Sequence, residues 1–179
     1  MPGTTLRAAV VLGSGSASFE VLRYLVERLP VMVTPRWVHT ECQPIAVRDV
    51  LEYLMGVIGD ERALGESFDI GGPRVLTYLD LMREMGRALG LPRRLVIPVP
   101  VLTPKLSSYW IHLVTPISAR IARPLAEGLR NRVVVREDSI RDIVRIETIE
   151  PRAAIDLALQ RLEKQDVETV WSSAGVIEG

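Results

Sequence analysis

A glycine- and serine-rich stretch, Gly13-Ser-Gly-Ser-Ala-Ser18, has the residue types of a phosphate-binding turn. It follows an apolar run of strand length and precedes a helical pattern, the context in which a G-x-G-x-x-G fingerprint binds a dinucleotide. Ser18 stands where the third glycine would be, and Arg36 follows the next predicted strand, where an acidic residue would bind a ribose hydroxyl. Arg36 would suit a 2′-phosphate instead. The residue types favour a tight strand-to-helix turn, and an NADP site using Gly13, Gly15 and Arg36 stays open as an alternative.

A second group of candidate binding residues lies in a loop between two predicted strands, residues 35–43. Polar and aromatic residues are concentrated there, a composition that binding loops use. We predict that this loop contributes to a substrate site, with ordinary surface or half-buried residues as the alternative. The candidates are Arg36, Trp37, His39 and Gln43.

Other kinds of site chemistry find no support in the sequence. Ser14 and Ser16 do not stand in a nucleophile elbow, because the turn lacks a residue between the serine and the next glycine. Cys42 is the one cysteine and cannot form an internal disulfide, and no Cys/His cluster has metal-ligand spacing. We expect Cys42 to be a packed, inert thiol, and we expect no metal site.

Composition limits the partners of the chain. Its 179 residues are 47% hydrophobic, enough for a core, and 22 basic residues balance 22 acidic ones. A formal net charge of zero gives no positive footprint of the kind that binds nucleic acids or anionic bilayers. The N-terminus lacks the charged start and apolar run of a signal peptide. The longest apolar stretch, residues 95–102, is interrupted by two prolines. We therefore expect no nucleic acid partner, no membrane span and a cytoplasmic location.

Hydrophobic periodicity predicts alternating strands and helices. The run Leu6-Arg-Ala-Ala-Val-Val-Leu12 is typical of a parallel strand covered on both faces. Residues 19–29 have helical spacing, with Pro30 as the stop. Further strands are predicted at residues 31–34, 44–47, 67–70, 94–99 and 133–135.

Capping residues place the later helices. Thr77 and Asp80 have capping-box spacing, and Gly90 ends that helix. Asp49 is the predicted N-cap of another helix, whose core-facing residues would be Val50, Leu51, Leu54 and Val57. Further elements are expected from Thr103, Ser118, Ser139 and Glu150, and at 167–171. Residues 1–179 are interpreted as one α/β domain with a more helical second half.

Four stretches together resemble the C-terminal half of extended and atypical short-chain dehydrogenases/reductases. This NAD(P)-binding superfamily includes nucleotide-sugar epimerases and an accessory subunit of respiratory complex I. The stretches are residues 6–13, Gln43-Pro-Ile-Ala-Val-Arg-Asp-Val50, Phe68-Asp-Ile-Gly-Gly-Pro73 with Leu76-Thr77-Tyr78, and residues 138–162. Each motif is weak alone, but their order and spacing make the combination fairly specific. The resemblance covers most of the chain and implies an incomplete Rossmann-like, doubly wound parallel sheet with a more helical substrate-side part.

The resemblance also implies binding residues. Ala8, Val10 and Gly13 would lie on the strand and turn that flank a nicotinamide, although many epimerases have asparagine where this chain has Val10. Tyr109, Trp110 and His112 would close the substrate pocket. Core and helix packing are the alternative roles for these two groups.

The family's glycine fingerprint and its catalytic Tyr-x-x-x-Lys would both precede residue 1. The tyrosines present here are followed four residues later by Arg28, Val57, Met82 and Leu113, and none of these is the lysine. The resemblance therefore implies the substrate-side half of an NAD- or NADP-dependent oxidoreductase or epimerase-like protein. We expect this half to be inactive alone and not to bind the cofactor by itself.

Three hypotheses follow. In the first, the chain is a fragment or split product whose opening strand has an unpaired edge, so it self-associates or binds a separate N-terminal half. In the second, a degenerate reductase fold serves as a non-catalytic binding or assembly module. In the third, the chain binds NADP by itself through the turn that contains Gly13 and Gly15.

Overall fold

The structure is a computed structural model that describes residues 3–99, 128–129 and 131–164. The strands are β1 Thr5–Ala8, β2 Val11–Leu12, β3 Val31–Pro35, β4 Glu41–Cys42, β5 Ile45–Ala46, β6 Ser67–Ile70, β7 Leu76–Thr77 and β8 Leu95–Val99. The helices are α1 Ala17–Arg28, α2 Val47–Val57, α3 Tyr78–Ala88 and α4 Pro151–Glu163. Short 3-10 turns span Arg36–His39, Glu61–Ala63 and Ser139–Asp142.

The strands pair mostly in parallel. β1 pairs with β6, β2 with β5 and β3 with β8, all parallel, whereas β4 and β7 are antiparallel. The register sets Ala8 beside Ile70, so β1 and β6 end at the same edge. Parallel strands joined through helices are the basis of α/β folds. The predicted α/β class with Rossmann-like parallel pairing is confirmed.

The helices bury two separate apolar clusters. One cluster forms where α3 packs on α1 and α4, and it includes Phe19, Val26, Leu81, Met85 and Ile155. The other lies beside α2, and it includes Ile45, Tyr53, Phe68, Ile70 and Ile140. Helix α1 is capped by Ser16, whose Oγ accepts a hydrogen bond from the Phe19 N–H. These packed helices hold the strand ends in place.

The opening strand differs from its sequence prediction. It divides into β1 and β2 at a bend around Ala9, and Thr5 and Arg7 are exposed where two covered faces were expected. In the part of the chain that the structure describes, β1 has one strand neighbour, β6. The run was misjudged because only Val10 and Leu12, at its end, are deeply buried.

The start and the buried face of α2 also correct the prediction. The helix begins at Val47, and Ala46 is its N-cap, without a side-chain hydrogen bond. Asp49 lies in the first turn and is fully buried, where its Oδ2 accepts a hydrogen bond from the Ile149 N–H at 2.9 Å. The core-facing residues are Asp49, Tyr53 and Val57, whereas Leu51 and Leu54 are exposed.

The remaining predicted elements have mixed outcomes. Helices α1, α3 and α4, strands β3, β6 and β8, and the turn from Ser139 are confirmed within a residue or two. The predicted strand 133–135 is reduced to a single bridge between Cys42 and Val133. The elements expected from Thr103, from Ser118 and at 167–171 lie outside the described residues. None of the described helices is long and apolar enough to cross a membrane.

Candidate functional site

A cleft of about 410 Å³ opens where β1 and β6 end. Ala8 and Ala9 line it from the end of β1, and Asp69 and Ile70 line it from the end of β6. The segment 131–136 also lines it. Ligands of open α/β sheets bind beyond the carboxyl ends of parallel strands, and the volume falls within the range of small-molecule sites. This cleft is the candidate site.

Gln43 holds the segment 131–136 against the strand ends. Its Nε2 donates to the Gly72 carbonyl at 2.7 Å, and its Oε1 accepts from the Val135 N–H at 3.0 Å. The backbone continues this attachment, because Gln43 N–H donates to the Val133 carbonyl and Val133 N–H donates to the Glu41 carbonyl. Gln43 therefore lies in the cleft wall, and its amide fixes the shape of that wall.

Positive charge dominates the cleft lining. Arg7, Arg132 and Arg136 line the cleft against one carboxylate, Asp69. Two of these arginines are paired: Arg7 Nε lies 2.8 Å from Asp69 Oδ1, and Arg132 Nε lies 2.6 Å from Glu41 Oε2. The Arg136 guanidinium has no ion-pair partner among residues 3–99, 128–129 and 131–164. An exposed, uncompensated arginine at a cleft rim suits a phosphate or carboxylate group.

The glycine-rich turn lies outside the cleft lining, and the hydroxyls of Ser16 and Ser18 are bonded within the fold. Ser16 Oγ donates to the Val11 carbonyl at 2.8 Å, and Ser18 Oγ contacts the same carbonyl at 3.2 Å. Gly15 has φ +82°, which glycine adopts without strain. A Cβ on Gly13 would lie 2.6 Å from Val47 Cγ1, so the missing side chain allows the start of α2 to approach.

The predicted site residues are therefore brought together only in part. Ala8 and Gln43 share the cleft. Val10 is buried in the apolar cluster with α1, and Gly13 packs on Val47. His39 is exposed at the end of the 3-10 turn that begins at Arg36, and it does not line the cleft.

Two groups of predicted residues have no described side-chain geometry. Arg36 and Trp37 are described as backbone of a 3-10 turn only. Tyr109, Trp110 and His112 lie outside the described residues. Their roles stay predictions.

Sequence reasoning missed Asp69 and the segment 131–136. Asp69 lies inside the Phe68–Pro73 motif, which indicates the fold but no site, and Arg132 and Arg136 flank an apolar triplet with the pattern of a strand. The arginines on either side of Val133, Val134 and Val135 are the available signal. A close approach to β4 and β6 turns that triplet into a cleft wall.

The environment of Cys42 confirms a buried thiol. Its side chain is fully buried where β4 meets β7, and burial raises the pKa of the thiol to about 12. Among the described residues, no group of His, Cys, Asp and Glu is arranged to hold a metal ion. The candidate site thus consists of backbone, small and apolar side chains, one carboxylate, the amides of Gln43 and Asn131, and three arginines.

Comparison with known proteins gives likeness at the level of structure. No family model matches the sequence, and no curated protein does. A UDP-glucuronic acid 4-epimerase from Bacillus cereus, in complex with UDP-glucuronic acid and NAD, superposes with a TM-score of 0.60 at 11% identity. It matches 92% of this chain and 46% of its own. This chain has the fold of that Rossmann-like group.

Further solved structures agree. Epimerase Mth375 from Methanothermobacter thermautotrophicus has a TM-score of 0.61 at 14% identity, with 93% of this chain and 45% of that one covered. RMD from Pseudomonas aeruginosa, complexed with NADPH, has a TM-score of 0.57 at 11% identity, with 94% and 47% covered. The chain therefore spans about half the length of the structures it matches. The likeness in fold drawn from the four sequence motifs is confirmed.

Proposed function

We propose that residues 1–179 form the substrate-side domain of an NAD(P)-dependent oxidoreductase or epimerase-like protein. The observation that carries the proposal is the cleft at the shared carboxyl ends of β1 and β6. Ligand recognition in such folds concentrates at that edge. Gln43 and Ala8, two of the residues singled out from the sequence, lie on the cleft wall and support the assignment.

The charge of the cleft supports an anionic substrate. Arg7 and Arg132 are paired with Asp69 and Glu41, whereas Arg136 has no ion-pair partner among the described residues, so the net positive charge of the cleft comes from Arg136. Asp69 accepts from Arg7 and, at 3.4 Å, from the Arg136 N–H, so the carboxylate orients the arginine-bearing segment. A nucleotide sugar, with phosphates for the arginines and hydroxyls for the exposed backbone, is the substrate class that we propose.

A nicotinamide ring fits the small side chains at the end of β1. Ala8 and Ala9 leave the cleft floor without bulk, so a flat ring can approach the strand backbone there. Such a cofactor, when bound, would exchange a hydride with the substrate. The residues of this chain would pack against the ring and bind the substrate. The sequence contains no Tyr-x-x-x-Lys, and we propose that these residues alone do not catalyse the reaction.

Calorimetric titration of the whole chain with UDP-glucuronic acid tests the substrate proposal. We expect measurable binding, weakened about tenfold by Arg136→Ala, because a guanidinium–phosphate hydrogen bond is lost. Arg93→Ala is the matched control, since Arg93 is exposed and lies outside the cleft lining. Loss of binding in both variants, or in neither, would refute the assignment to this cleft.

Titration with NADPH alone separates this proposal from the self-sufficient NADP hypothesis. Because Ser18 replaces the third glycine of the fingerprint, and the Ser16 and Ser18 hydroxyls are bonded to the Val11 carbonyl, we expect no heat of binding at millimolar NADPH. Tight binding that is abolished by Ser16→Glu would favour the glycine-rich turn as a cofactor site.

A further inference from the structure

The carboxylate of Asp69 contacts two of the arginines that line the cleft. Asp69 lies opposite Arg7 in the parallel pair of β1 and β6, and its Oδ1 accepts a hydrogen bond from Arg7 Nε at 2.8 Å. Its Oδ2 accepts a hydrogen bond from the backbone N–H of Arg136 at 3.4 Å. Asp69 therefore joins the side chain of one cleft arginine to the backbone that carries another.

Most of the Arg7 guanidinium is available to a ligand. Its Nε is bonded to Asp69, whereas Nη1 and Nη2 have no hydrogen bond within the described residues. The Arg7 side chain is 63% exposed, the Asp69 side chain is 18% exposed, and both residues line the cleft. A carboxylate that holds Nε orients the planar guanidinium and leaves its other N–H groups free to donate. The ion pair is thus a preorganised donor for an anion.

The backbone beneath Arg136 is held at two consecutive amides. Gln43 Oε1 accepts from the Val135 N–H at 3.0 Å, and Asp69 Oδ2 accepts from the next N–H along the chain. A Cβ on Gly71 would lie 2.7 Å from Gln43 Cδ and 2.8 Å from Val135 Cγ2, so the missing side chain allows this approach. The base of the Arg136 side chain is therefore fixed relative to β6.

We propose that Asp69 is a positioning residue, which orients Arg7 and Arg136 toward one phosphoryl group of the substrate. The inference rests on the proposed substrate cleft and deepens it. A phosphoryl group has three acceptor oxygens, so two guanidinium groups can bind it together. Asp69 does not touch the phosphoryl group, because its two oxygens are bonded to Arg7 and Arg136.

Asp69→Asn separates the positioning role of Asp69 from its charge. Removal of a negative charge beside a bound anion, by itself, would tighten binding. The asparagine amide has one acceptor oxygen, however, and cannot accept from both Arg7 Nε and the Arg136 N–H. We expect the Kd for inorganic phosphate to rise about fivefold, because the loss of positioning outweighs the loss of repulsion. Titration of the whole chain followed by NMR, at constant ionic strength, measures this Kd.

The same substitution should have the opposite sign when Arg7 is absent. In Arg7→Ala, phosphate should bind more weakly than in the native chain, and Asp69 is left without its partner. Adding Asp69→Asn then removes an uncompensated charge, and its one oxygen can serve the Arg136 N–H. We expect phosphate binding to tighten about twofold relative to Arg7→Ala alone. Tightening by Asp69→Asn in both backgrounds would show that Asp69 acts only as a charge, and would overturn the proposal.

Glu84→Gln is the matched control. Glu84 pairs with Arg87 at 2.9 Å on α3, with side-chain exposures of 19% and 66% that are close to those of Asp69 and Arg7. Neither residue lines the cleft. The Kd for phosphate should be unchanged in Glu84→Gln. Circular dichroism checks that each variant keeps its helix content.

The Arg7 Nε–H signal reports the orientation of the side chain directly. It is assigned by its absence in Arg7→Ala. Its exchange with water should be slow in the native chain and faster in Asp69→Ala, which removes the acceptor of this N–H. Exchange that is equally fast in the native chain and in Asp69→Ala would overturn the proposal, because Asp69 would then not hold the guanidinium.

UDP-glucuronic acid, as a second probe, separates this inference from the proposed function. Phosphate binding that follows the Asp69 and Arg7 variants as expected, without binding of UDP-glucuronic acid, would support the inference and refute a nucleotide-sugar substrate. UDP-glucuronic acid that binds through Arg136 but is insensitive to the Asp69 and Arg7 variants would leave the proposed function standing and overturn the inference. Failure of the native chain to bind phosphate would also overturn it.

Discussion

The side-chain amide of Gln43 accepts a hydrogen bond from the backbone N–H of Val135 at 3.0 Å, across 92 positions of sequence. The same amide donates to the Gly72 carbonyl at the end of β6. One residue thus joins the strand end to the segment that carries Arg132 and Arg136. The shape of the proposed substrate cleft depends on this link.

Gln43→Ala should loosen the cleft wall. It removes the partner of the half-buried Val135 N–H, which costs about 1–2 kcal/mol and speeds exchange of that amide hydrogen. Amide exchange followed by NMR measures the effect. Gln160→Ala, at an exposed position of α4, should leave Val135 unchanged. Unaltered exchange in Gln43→Ala would show that the backbone bonds of Val133 suffice.

Two glycines should respond oppositely to alanine. A Cβ on Gly72 would lie 2.2 Å from the Pro44 carbonyl oxygen, which is backbone and cannot move without disturbing β5. Gly72→Ala should cost about 2–4 kcal/mol of unfolding free energy. Gly86, in α3, has its nearest neighbour at 3.5 Å, so Gly86→Ala should stabilise the helix by about 0.5–1 kcal/mol. Urea denaturation measures both, and equal effects would contradict this packing.

Cys42 should resist alkylation in the folded chain. Its side chain is fully buried, and a pKa of about 12 leaves almost no thiolate at pH 8. Iodoacetamide should modify it only after unfolding in urea, as mass spectrometry would show. Rapid stoichiometric labelling without denaturant would mean that β4 opens readily.

The N-cap of α3 should give a pH-dependent contribution to stability. The Thr77 hydroxyl donates to Asp80 Oδ2 and accepts from the Asp80 N–H, and together with Arg83 it lowers the pKa of the Asp80 carboxyl. A lowered folded-state pKa stabilises the protein above the unfolded pKa, and this is lost as pH falls through the folded value.

Thr77→Val should therefore cost about 1 kcal/mol at pH 7, and less once the pH has fallen through the lowered pKa of the Asp80 carboxyl. Urea denaturation at pH 7 and at successively lower pH values measures the difference. Thr148→Val is the control, because the Thr148 hydroxyl has no hydrogen bond within the described residues. An equal cost at all of these pH values would exclude a contribution from the carboxylate.

Local signals in the sequence were sufficient for much of the fold. The cap at Thr77 and the stop at Gly90 bounded α3, and the spacing of Phe19, Leu22 and Leu25 located α1. These features depend on residues within a few positions of one another, which a single sequence displays. Short parallel strands such as β6 were also found, because they are bounded by turns.

The orientation of α2 and part of the candidate site depend on contacts between residues far apart in the sequence, which the sequence alone does not show. Asp49 has the residue type of an N-cap, yet its carboxylate accepts a hydrogen bond from the Ile149 N–H, 100 residues away. With Asp49 buried in this contact, α2 is oriented so that Tyr53 faces the core and Leu54 faces outward. Among the residues that line the candidate site, Ala8 and Gln43 were named from the sequence. Asp69 lies beside them because β1 pairs with β6, and Arg136 does so because Gln43 bonds to Val135.

Amide hydrogen exchange with and without UDP-glucuronic acid, read by mass spectrometry, tests the central claim most directly. The account predicts slower exchange in peptides that cover residues 7–9, 69–70 and 131–136, and no change over residues 13–18. Protection confined to residues 13–18, or no protection at saturating ligand, would contradict a substrate site at the ends of β1 and β6.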